Sequence, residues 1–150
     1  FLLVTMENKD APLPQFDECN SAALRQAARA VGQMYDQHLA QVGLRGGQFS
    51  ILAALARGGP LALTPLAARV GLDRTTLNRV LKPLVRDGLV RAAASDADRR
   101  SKLLQLSPEG ERKLAEARVH WEAAQAAFEI NYGVREAAQL RGMLRELRAR

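Results

Sequence analysis

The sequence has few of the residues that build disulfide-bonded or membrane-spanning proteins. Among its 150 residues there is a single cysteine, Cys19, so no internal disulfide can form. A chain without disulfides is compatible with a reducing cytoplasm. No stretch approaches the roughly 20 consecutive apolar residues that a membrane span requires, and residues 1–5 are too short for a signal peptide. We therefore expect a cytoplasmic protein without a membrane partner.

Residues that could catalyse a reaction or bind a metal are also scarce. The two histidines, His38 and His120, fall in different helical segments, and neither has a cysteine, histidine or carboxylate at the spacing of a zinc site. There is no glycine-rich phosphate loop and no serine nucleophile motif. The sequence therefore predicts no enzyme, no metal site and no cofactor.

The chain does have a basic charge and an apolar content suited to packed helices. Hydrophobic residues make up 47% and aromatic residues 5%, which favours a core of leucine, alanine and valine between helices. The length suits one domain, or one small domain with an extension. The formal net charge of +6 favours a polyanionic partner.

Two consecutive short helices are predicted between residues 64 and 87. Thr64 and Pro65 are expected to begin the first, which Gly71 ends, and Asp73 is expected to cap the second. Pro83 removes one hydrogen bond from the second helix, so a bend is expected there. Apolar residues at steps of three and four mark the buried side of the second helix: Leu77, Val80, Leu81 and Leu84.

A two-stranded wing is predicted after these helices. Residues 89–92 and 102–106 are typical of strands, and the polar loop between them, residues 95–101, is too long for a two-residue turn. Residues 62 and 63 are expected to add a short strand. Within the loop, Asp96 and Asp98 are expected to shape the wing by ion pairing with the neighbouring arginines. Helix, turn, helix and wing together predict a winged helix-turn-helix, which is a DNA-reading unit.

The face of the second helix opposite its apolar stripe carries groups that can bind DNA. Threonine hydroxyls, an asparagine amide and arginine side chains can reach base edges in a major groove, whereas Lys82 and Arg86 suit phosphates. An ordinary solvated outer face is the alternative. The predicted contacts on this helix are Arg74, Thr75, Thr76, Asn78, Arg79, Lys82 and Arg86.

The distribution of charge favours DNA contact over a solvated face. Residues 64–102 hold nine lysines and arginines against four aspartates, so this segment carries +5 of the net charge of +6. A cation excess confined to one unit is the electrostatic footprint of a phosphate-binding surface.

The segments DRTTLNRVLKPLVRDGLV and DRRSKLLQLSPEG closely resemble the MarR (multiple antibiotic resistance regulator) family of bacterial transcription factors. The likeness includes the Asp-x-Arg of the wing, here Asp98 and Arg100, and it extends from about Cys19 to Leu147. It implies a mainly α (α+β) fold, with a winged helix-turn-helix between long N- and C-terminal dimerisation helices. It also implies a homodimeric regulator that binds double-stranded DNA.

The wing is expected to contact DNA beside the major groove. Arg100 and Arg99 should enter the adjacent minor groove, where narrow A·T-rich segments concentrate negative potential. Lys102, at the base of the wing, is a further predicted contact, whereas Asp98 should hold the loop.

The chain divides into three predicted regions. Residues 1–16 are expected to form a flexible arm. Residues 17–42 and 107–150 are expected to form a helical dimerisation region around the DNA-binding domain, residues 43–106. Packing against a second copy would bury the apolar stripes of the flanking helices and would put two recognition helices on one face. An intramolecular bundle of the same helices is the alternative.

Local signals predict where the flanking helices begin and end. Asp17 or Asn20 is expected to cap the first helix, which runs to about residue 41. The next helix is expected over residues 48–57. Ser107 should cap a long helix that Gly133 breaks, and a last helix should follow it.

The sequence predicts a transcriptional repressor that binds a pseudo-palindromic operator. A small aromatic ligand is expected to release it from the DNA. A pocket is expected where the dimerisation helices meet the reader. Apolar walls with a phenol and an imidazole would suit a small aromatic acid or a phenol. The alternative is that the same residues fill the core. They are Tyr35, His38, Leu39, Phe49, Leu52 and Trp121.

Two other functions remain open at this stage. Cys19 near a helix start could sense oxidants, as in one branch of the family, although Asp17 and Glu18 beside it oppose thiolate formation. Otherwise Cys19 is a small residue at a helix end in the dimer interface. A winged-helix module that binds protein instead of DNA is the third possibility.

Overall fold

The computed structural model describes residues 15, 18–94 and 102–150. Within them, the mainly α fold with a small antiparallel sheet is confirmed. Most of the predicted arm and the wing loop, with Asp96, Asp98, Arg99 and Arg100, lie outside the described residues. The elements are α1 (Asn20–Leu39), a 3-10 turn (Ala40–Val42), α2 (Gly46–Gly58), α3 (Leu63–Val70), α4 (Arg74–Arg86), β1 (Val90–Ala94), β2 (Lys102–Leu106), α5 (Pro108–Tyr132) and α6 (Val134–Ala149).

One hydrophobic core joins α2, α3 and α4 to the sheet and to α5. Leucines at helical spacing on α4 pack against α2, α3 and the sheet, and each fully buried leucine contributes about 1.5–3 kcal/mol of transfer free energy. Ala117 and Ala124 of α5 are fully buried, and α1 packs on α5. The largest fully buried side chains are Leu39, Ile51, Leu52, Leu66, Leu77, Leu84 and Val90.

The predicted starts of α1 and α2 need correction. Asn20 is the first helical residue of α1 and not its cap, because Cys19 occupies the cap position, without a side-chain hydrogen bond. Asp17 lies outside the described residues. Helix α2 begins at Gly46, two residues earlier than predicted. Its first turn is stabilised from outside the helix, since the amide of Gly46 donates to Oδ1 of Asp36, on α1, at 2.7 Å.

The predicted cap of α3 is also wrong. The helix begins at Leu63 with Ala62 at the cap position, so Thr64 lies inside the first turn. Pro65 is tolerated there because the amide groups of a first turn have no helical acceptor in any case.

The first strand differs from prediction by one residue at its start and two at its end. Leu89 stays outside β1 because its amide donates to the carbonyl of Leu84, at the end of α4, at 2.9 Å. β2 has the predicted bounds, and it pairs with β1 in the register Val90 with Leu106. The short strand expected at residues 62 and 63 is a single bridge at Leu61, whose amide and carbonyl bond to Leu104 at 2.9 and 2.8 Å.

Ser107 joins the end of α4 to the start of α5. Its hydroxyl accepts from the amide of Gly110 at 3.0 Å, which caps α5 as predicted, and it donates to the carbonyl of Gly88. Its own amide donates to the carbonyl of Leu89 at 3.1 Å. Gly110 is required at this contact, because a Cβ on it would lie 2.1 Å from the carbonyl oxygen of Leu89.

We predict opposite effects of two glycine-to-alanine substitutions. Gly110→Ala should lower the free energy of unfolding by about 1–3 kcal/mol, because the methyl group collides with rigid backbone. Gly32→Ala should raise it by about 0.5–1 kcal/mol, since alanine favours helix and a Cβ there meets nothing within 4 Å. Urea unfolding at one protein concentration measures both. Equal stability of Gly110→Ala and the parent would contradict the contact.

Candidate DNA-binding interface and cavity

Helix α4 is capped by a carboxylate, as the sequence predicted. Oδ1 of Asp73 accepts from the amide of Thr76 at 2.9 Å, and Oδ2 accepts from the hydroxyl of Thr76 at 2.6 Å. The Thr76 hydroxyl, followed by the backbone amides, lowers the pKa of Asp73 below its ordinary value of 3.8. The carboxylate therefore remains ionised at neutral pH, at the positive end of the helix.

The two sides of α4 differ as predicted. Leu77, Leu81 and Leu84 are buried and Val80 is half-buried, which fixes the rotation of the helix on the core. Pro83 lies inside the helix without ending it. The opposite side is exposed to solvent and carries Arg74, Thr75, Asn78, Arg79, Lys82 and Arg86.

Three cations on this face have no acid partner in the described part of the chain. No described carboxylate lies within 4.0 Å of the side-chain nitrogens of Arg74, Arg79 or Lys82. Arg86 differs from them, because its side chain pairs with Asp87 at 3.0 Å. This hydrogen bond also lowers the pKa of Asp87. Both partners are exposed, so the pair is worth little and a phosphate can compete for Arg86.

The remaining predicted DNA contacts are in different situations. Thr76 is half-buried and its hydroxyl is donated to Asp73, so only its oxygen lone pairs are available to a base. Lys102 is exposed at the start of β2, opposite Ala94 of β1. The role of each of these residues in DNA binding stays a prediction.

A cavity of about 420 Å³ lies between α1, α2 and α5. The rings of Phe49 and Trp121 stack with their centroids 5.8 Å apart and their planes 12° apart, and they form its aromatic wall. Glycines on α1 and at the start of α2 leave room beside these rings. The lining residues are Gly32, Tyr35, Asp36, Gly46, Gly47, Phe49, Ser50 and Trp121.

Three of the six predicted pocket residues line this cavity, namely Tyr35, Phe49 and Trp121. Leu39 and Leu52 do not, because both are fully buried in the core. His38 does not line it either, and its Nδ1 lies 2.9 Å from the carbonyl oxygen of Met34, one turn earlier on α1.

The sequence interpretation missed Asp36 and the two glycines that begin α2. An aspartate on the polar side of an amphipathic helix gives no local sign that it reaches another helix. The pair Gly46 and Gly47 did carry a signal, because adjacent glycines at a helix start allow close approach of neighbouring groups. A Cβ on Gly47 would lie 3.8 Å from Cγ1 of Val80, on α4.

A chain of polar groups leads from the cavity to α6. The hydroxyl of Tyr35 donates to Oε1 of Gln125, whose Nε2 donates to Glu129 at 3.2 Å. Arg141 of α6 binds the same Glu129 oxygen at 3.4 Å. Burial, followed by the charge of Glu129, raises the pKa of Tyr35 above 10.0, while Arg141 acts in the opposite direction. The phenol is therefore neutral at pH 7.

Other candidate sites have less support from geometry. Cys19 is exposed at the start of α1. No three metal-binding side chains are grouped in a way that could hold an ion within the described residues. None of the described helices is long and apolar enough to cross a membrane.

Comparison with known proteins identifies the family of the chain. A family model described as MarR family matches residues 42–101, which include α2, α3 and α4. The transcriptional regulator MosR of M. tuberculosis, solved in complex with DNA, is 38% identical, with 86% of this chain and 97% of MosR covered and a TM-score of 0.71. The chain belongs to the MarR family. The resemblance inferred from the sequence is thus confirmed.

Two further comparisons agree with the assignment of this chain to the MarR family. CouR, a transcriptional repressor bound to a 23-mer DNA duplex, is 27% identical, with 93% of this chain and 98% of CouR covered and a TM-score of 0.80. The HTH-type transcriptional regulator YwoH of Bacillus subtilis is 29% identical over 96 residues, which are 64% of this chain and 69% of YwoH. This MarR-family protein is a DNA-binding transcriptional regulator and not an enzyme.

We predict that the cap of α4 makes stability depend on pH. Because the folded pKa of Asp73 is depressed, its contribution is fully present above pH 3.8 and is lost as the pH falls through the folded pKa. Asp73→Ala should be less stable than the parent at pH 7, and the difference should narrow below pH 3.8. Asp73→Asn is the matched control, since it keeps an acceptor that cannot ionise. A difference that is constant from pH 7 to pH 3, measured by thermal unfolding, would contradict this role.

Proposed function

We propose that this MarR-family regulator is a cytoplasmic homodimeric repressor of a pseudo-palindromic operator and that a small aromatic effector releases it. The exposed face of α4 carries the proposal, because its cations Arg74, Arg79 and Lys82 lack acid partners among the described residues. An arginine or lysine without an internal partner can bind DNA without first breaking an ion pair. The likeness to CouR, a repressor bound to DNA, supports the sign of regulation.

Each group on this face has a proposed role. Thr75, Asn78 and Arg79 read base edges in the major groove, and Thr76 contributes through its free lone pairs. Cations toward the end of α4 bind phosphates and set the register. Wing residues reach the adjacent minor groove, with Asp98 holding the loop. The proposed phosphate contacts are Lys82 and Arg86, and the wing contacts are Arg99, Arg100 and Lys102; Arg74, at the start of α4, is a further proposed DNA contact.

We predict that two neighbouring cations of α4 affect binding differently. Arg79→Ala should cost about 1–3 kcal/mol on the preferred operator and should relax base preference, whereas Lys82→Ala should weaken all sequences alike. Titration of an operator selected from random DNA, over a range of salt concentrations, measures both effects. Half-site centres should lie about 10 base pairs apart.

Arg118→Ala is the control for charge alone, because Arg118 is exposed on α5 and pairs with Glu122 at 2.8 Å. It should bind like the parent. Unchanged affinity and preference in Arg79→Ala would refute the proposed reading role. Affinity that does not fall with salt would favour the protein-binding alternative, since phosphate contacts release counterions.

The homodimer is inferred from apolar side chains that the single chain leaves exposed. Helix α1 packs on α5, and α5 on α6, within one chain, yet Ile130 is 81% exposed and Val134 is 67% exposed. Leucine and methionine side chains continue this set along α6. A second copy would bury these groups and would present two α4 helices to one duplex. The exposed set is Leu24, Ile130, Tyr132, Val134, Met143, Leu144 and Leu147.

We predict that charge on this surface prevents assembly. The double substitution Leu144→Asp with Leu147→Asp should convert dimers to monomers in sedimentation velocity at micromolar concentration, because two buried carboxylates would lose their hydration. Val85→Asp is the matched control, since Val85 is 45% exposed on α4, away from the proposed interface. A parent chain that sediments as a monomer would exclude the proposed dimer.

Control by an effector is inferred from what the cavity touches. Its walls come from α1, α2 and α5, and its lining residue Gly47 lies beside Val80 of α4. On another side, Tyr35 connects through Gln125 and Glu129 to α6. A ligand that shifts these helices changes the spacing of the two recognition helices. By linkage, a ligand that prefers the altered spacing binds the DNA complex more weakly.

We predict that filling the cavity abolishes this control. Gly32→Leu places an isobutyl group where a Cβ has no neighbour within 4 Å, so aromatic compounds that release the operator from the parent should no longer do so. Gly32→Ala, which adds one methyl group, is the control. Operator titration with hits from a thermal-shift screen measures release. Compounds that release Gly32→Leu from the operator as they release the parent would exclude this cavity as the effector site. Release of the parent by peroxide, abolished in Cys19→Ser, would favour the oxidant-sensing alternative.

A further inference from the structure

We propose that the cavity takes a cationic aromatic effector, an arylalkylamine in its ammonium form, with Asp36 as the charge partner and the Phe49–Trp121 stack as the aromatic wall. This inference rests on the proposed function, in which the cavity controls operator binding, and it names the chemical class of the effector. It also changes the expectation from sequence, which favoured an aromatic acid or a phenol.

The charge of the lining points to a cation. Asp36 is the only aspartate or glutamate among the lining residues, and lysine, arginine and histidine are absent from the described lining. The imidazole of His38, which an acid would have used, faces elsewhere. No described lysine or arginine pairs with Asp36 within 4.0 Å. A carboxylate ligand would therefore lose its hydration beside a like charge without gaining a cationic partner.

The Asp36 carboxylate is held in place and still has accepting capacity. Its Oδ1 accepts the Gly46 amide at 2.7 Å, and the side chain is half-buried. A carboxylate offers about four lone-pair positions, so this one bond leaves acceptors for an ammonium group. The positive end of α2 does not favour a second anion here, because Asp36 already occupies it.

The aromatic wall suits the rest of such a ligand. Phe49 and Trp121 lie nearly parallel, with an interplanar angle of 12°, and a cation over the face of a tryptophan or phenylalanine ring is attracted by its quadrupole. Gly32 and Gly47 add no side chain to the space, which has about 420 Å³ of volume. That volume is within the range of small-molecule sites. The phenol of Tyr35 is neutral and therefore adds no charge to the lining of the cavity.

One effect opposes a cation, namely the net charge of +6 on the whole chain. Physiological salt screens exposed charges over about 8 Å, so most of this field is weakened at the cavity. Asp36 acts at contact distance and is partly shielded from solvent, and it is therefore screened less. The test is accordingly run at physiological ionic strength.

Three probes with one phenyl ring and one linker separate charge from shape: phenethylammonium, phenethyl alcohol and hydrocinnamate. Binding to the full chain is followed by fluorescence of Trp121, the only tryptophan of the sequence, and by calorimetry. Phenethylammonium should bind at least about tenfold more tightly than the alcohol, and hydrocinnamate should bind most weakly.

Asp36→Asn tests the charge partner, since the amide oxygen can still accept from Gly46 while the charge is gone. The advantage of phenethylammonium over the alcohol should fall to within about twofold. Asp87→Asn, which removes the same charge away from the cavity lining, should keep the parent ranking. Far-UV circular dichroism checks that both variants fold.

Hydrocinnamate binding as tightly as phenethylammonium would overturn the inference, and so would an unchanged preference in Asp36→Asn. Absence of binding by all three probes up to millimolar concentration would also overturn it. Operator titration separates these failures from failure of the proposed function. Release of the operator by hydrocinnamate would support effector control and would refute the proposed cationic ligand class. Tight binding of phenethylammonium without release would support the ligand class and refute effector control by this cavity.

Discussion

The carbonyl group of Leu89 bonds the segment that follows α4 to the start of α5. It accepts the amide of Ser107 at 3.1 Å, and Gly110 packs directly against it. The amide of Leu89 donates to Leu84, inside α4. One peptide thus joins the end of α4, the start of β1 and the first turn of α5. Removing one partner of such a hydrogen bond leaves the other group unsatisfied, which costs about 1–3 kcal/mol where that group is buried.

Hydrogen bonds also join the opposite side of the winged helix-turn-helix to α5 and to α1. Lys113 of α5 donates to the carbonyl of Val42, at the end of the 3-10 turn, at 3.3 Å, and Asp36 binds Gly46 across the start of α2. The cavity lies on this side.

Sequence signals predicted helix boundaries correctly where the boundary depends only on residues next to it in the chain. Asp73 and Ser107 cap the helices that follow them, and Gly133 separates α5 from α6, because each signal acts through neighbouring backbone groups. The same local rules failed at Thr64, which lies within α3. Pro65 suits several positions of a first turn, so it could not fix the first residue.

The composition of the cavity was predictable only in part for the same reason. Aromatic residues on apolar stripes identified Phe49, Tyr35 and Trp121. Helical periodicity could not tell which apolar residues reach a cavity and which fill the core, and Leu39 and Leu52 fill the core. Nor could it show that Asp36 meets α2, since that contact depends on how two helices cross. The contributions of residues 95–101 to the wing remain sequence predictions.

The start of α2 connects the folding of this chain to its ligand chemistry. Arg45, at the cap position of α2, has no acceptor in its side chain. The amide of Arg45 donates to Oε1 of Gln48 at 2.9 Å, and the amide of Gly46, the first helical residue, donates to Oδ1 of Asp36 at 2.7 Å. The carboxylate that stabilises the helix start is therefore also the charge inside the cavity. An ammonium ligand that draws the Asp36 carboxylate toward itself would weaken the hydrogen bond between Asp36 and the Gly46 amide. Conversely, a strong bond between Asp36 and Gly46 would weaken the binding of the ligand. Since a Cβ on Gly47 would lie only 3.8 Å from Val80 of α4, the start of α2 lies close to the helix for which we propose DNA contacts.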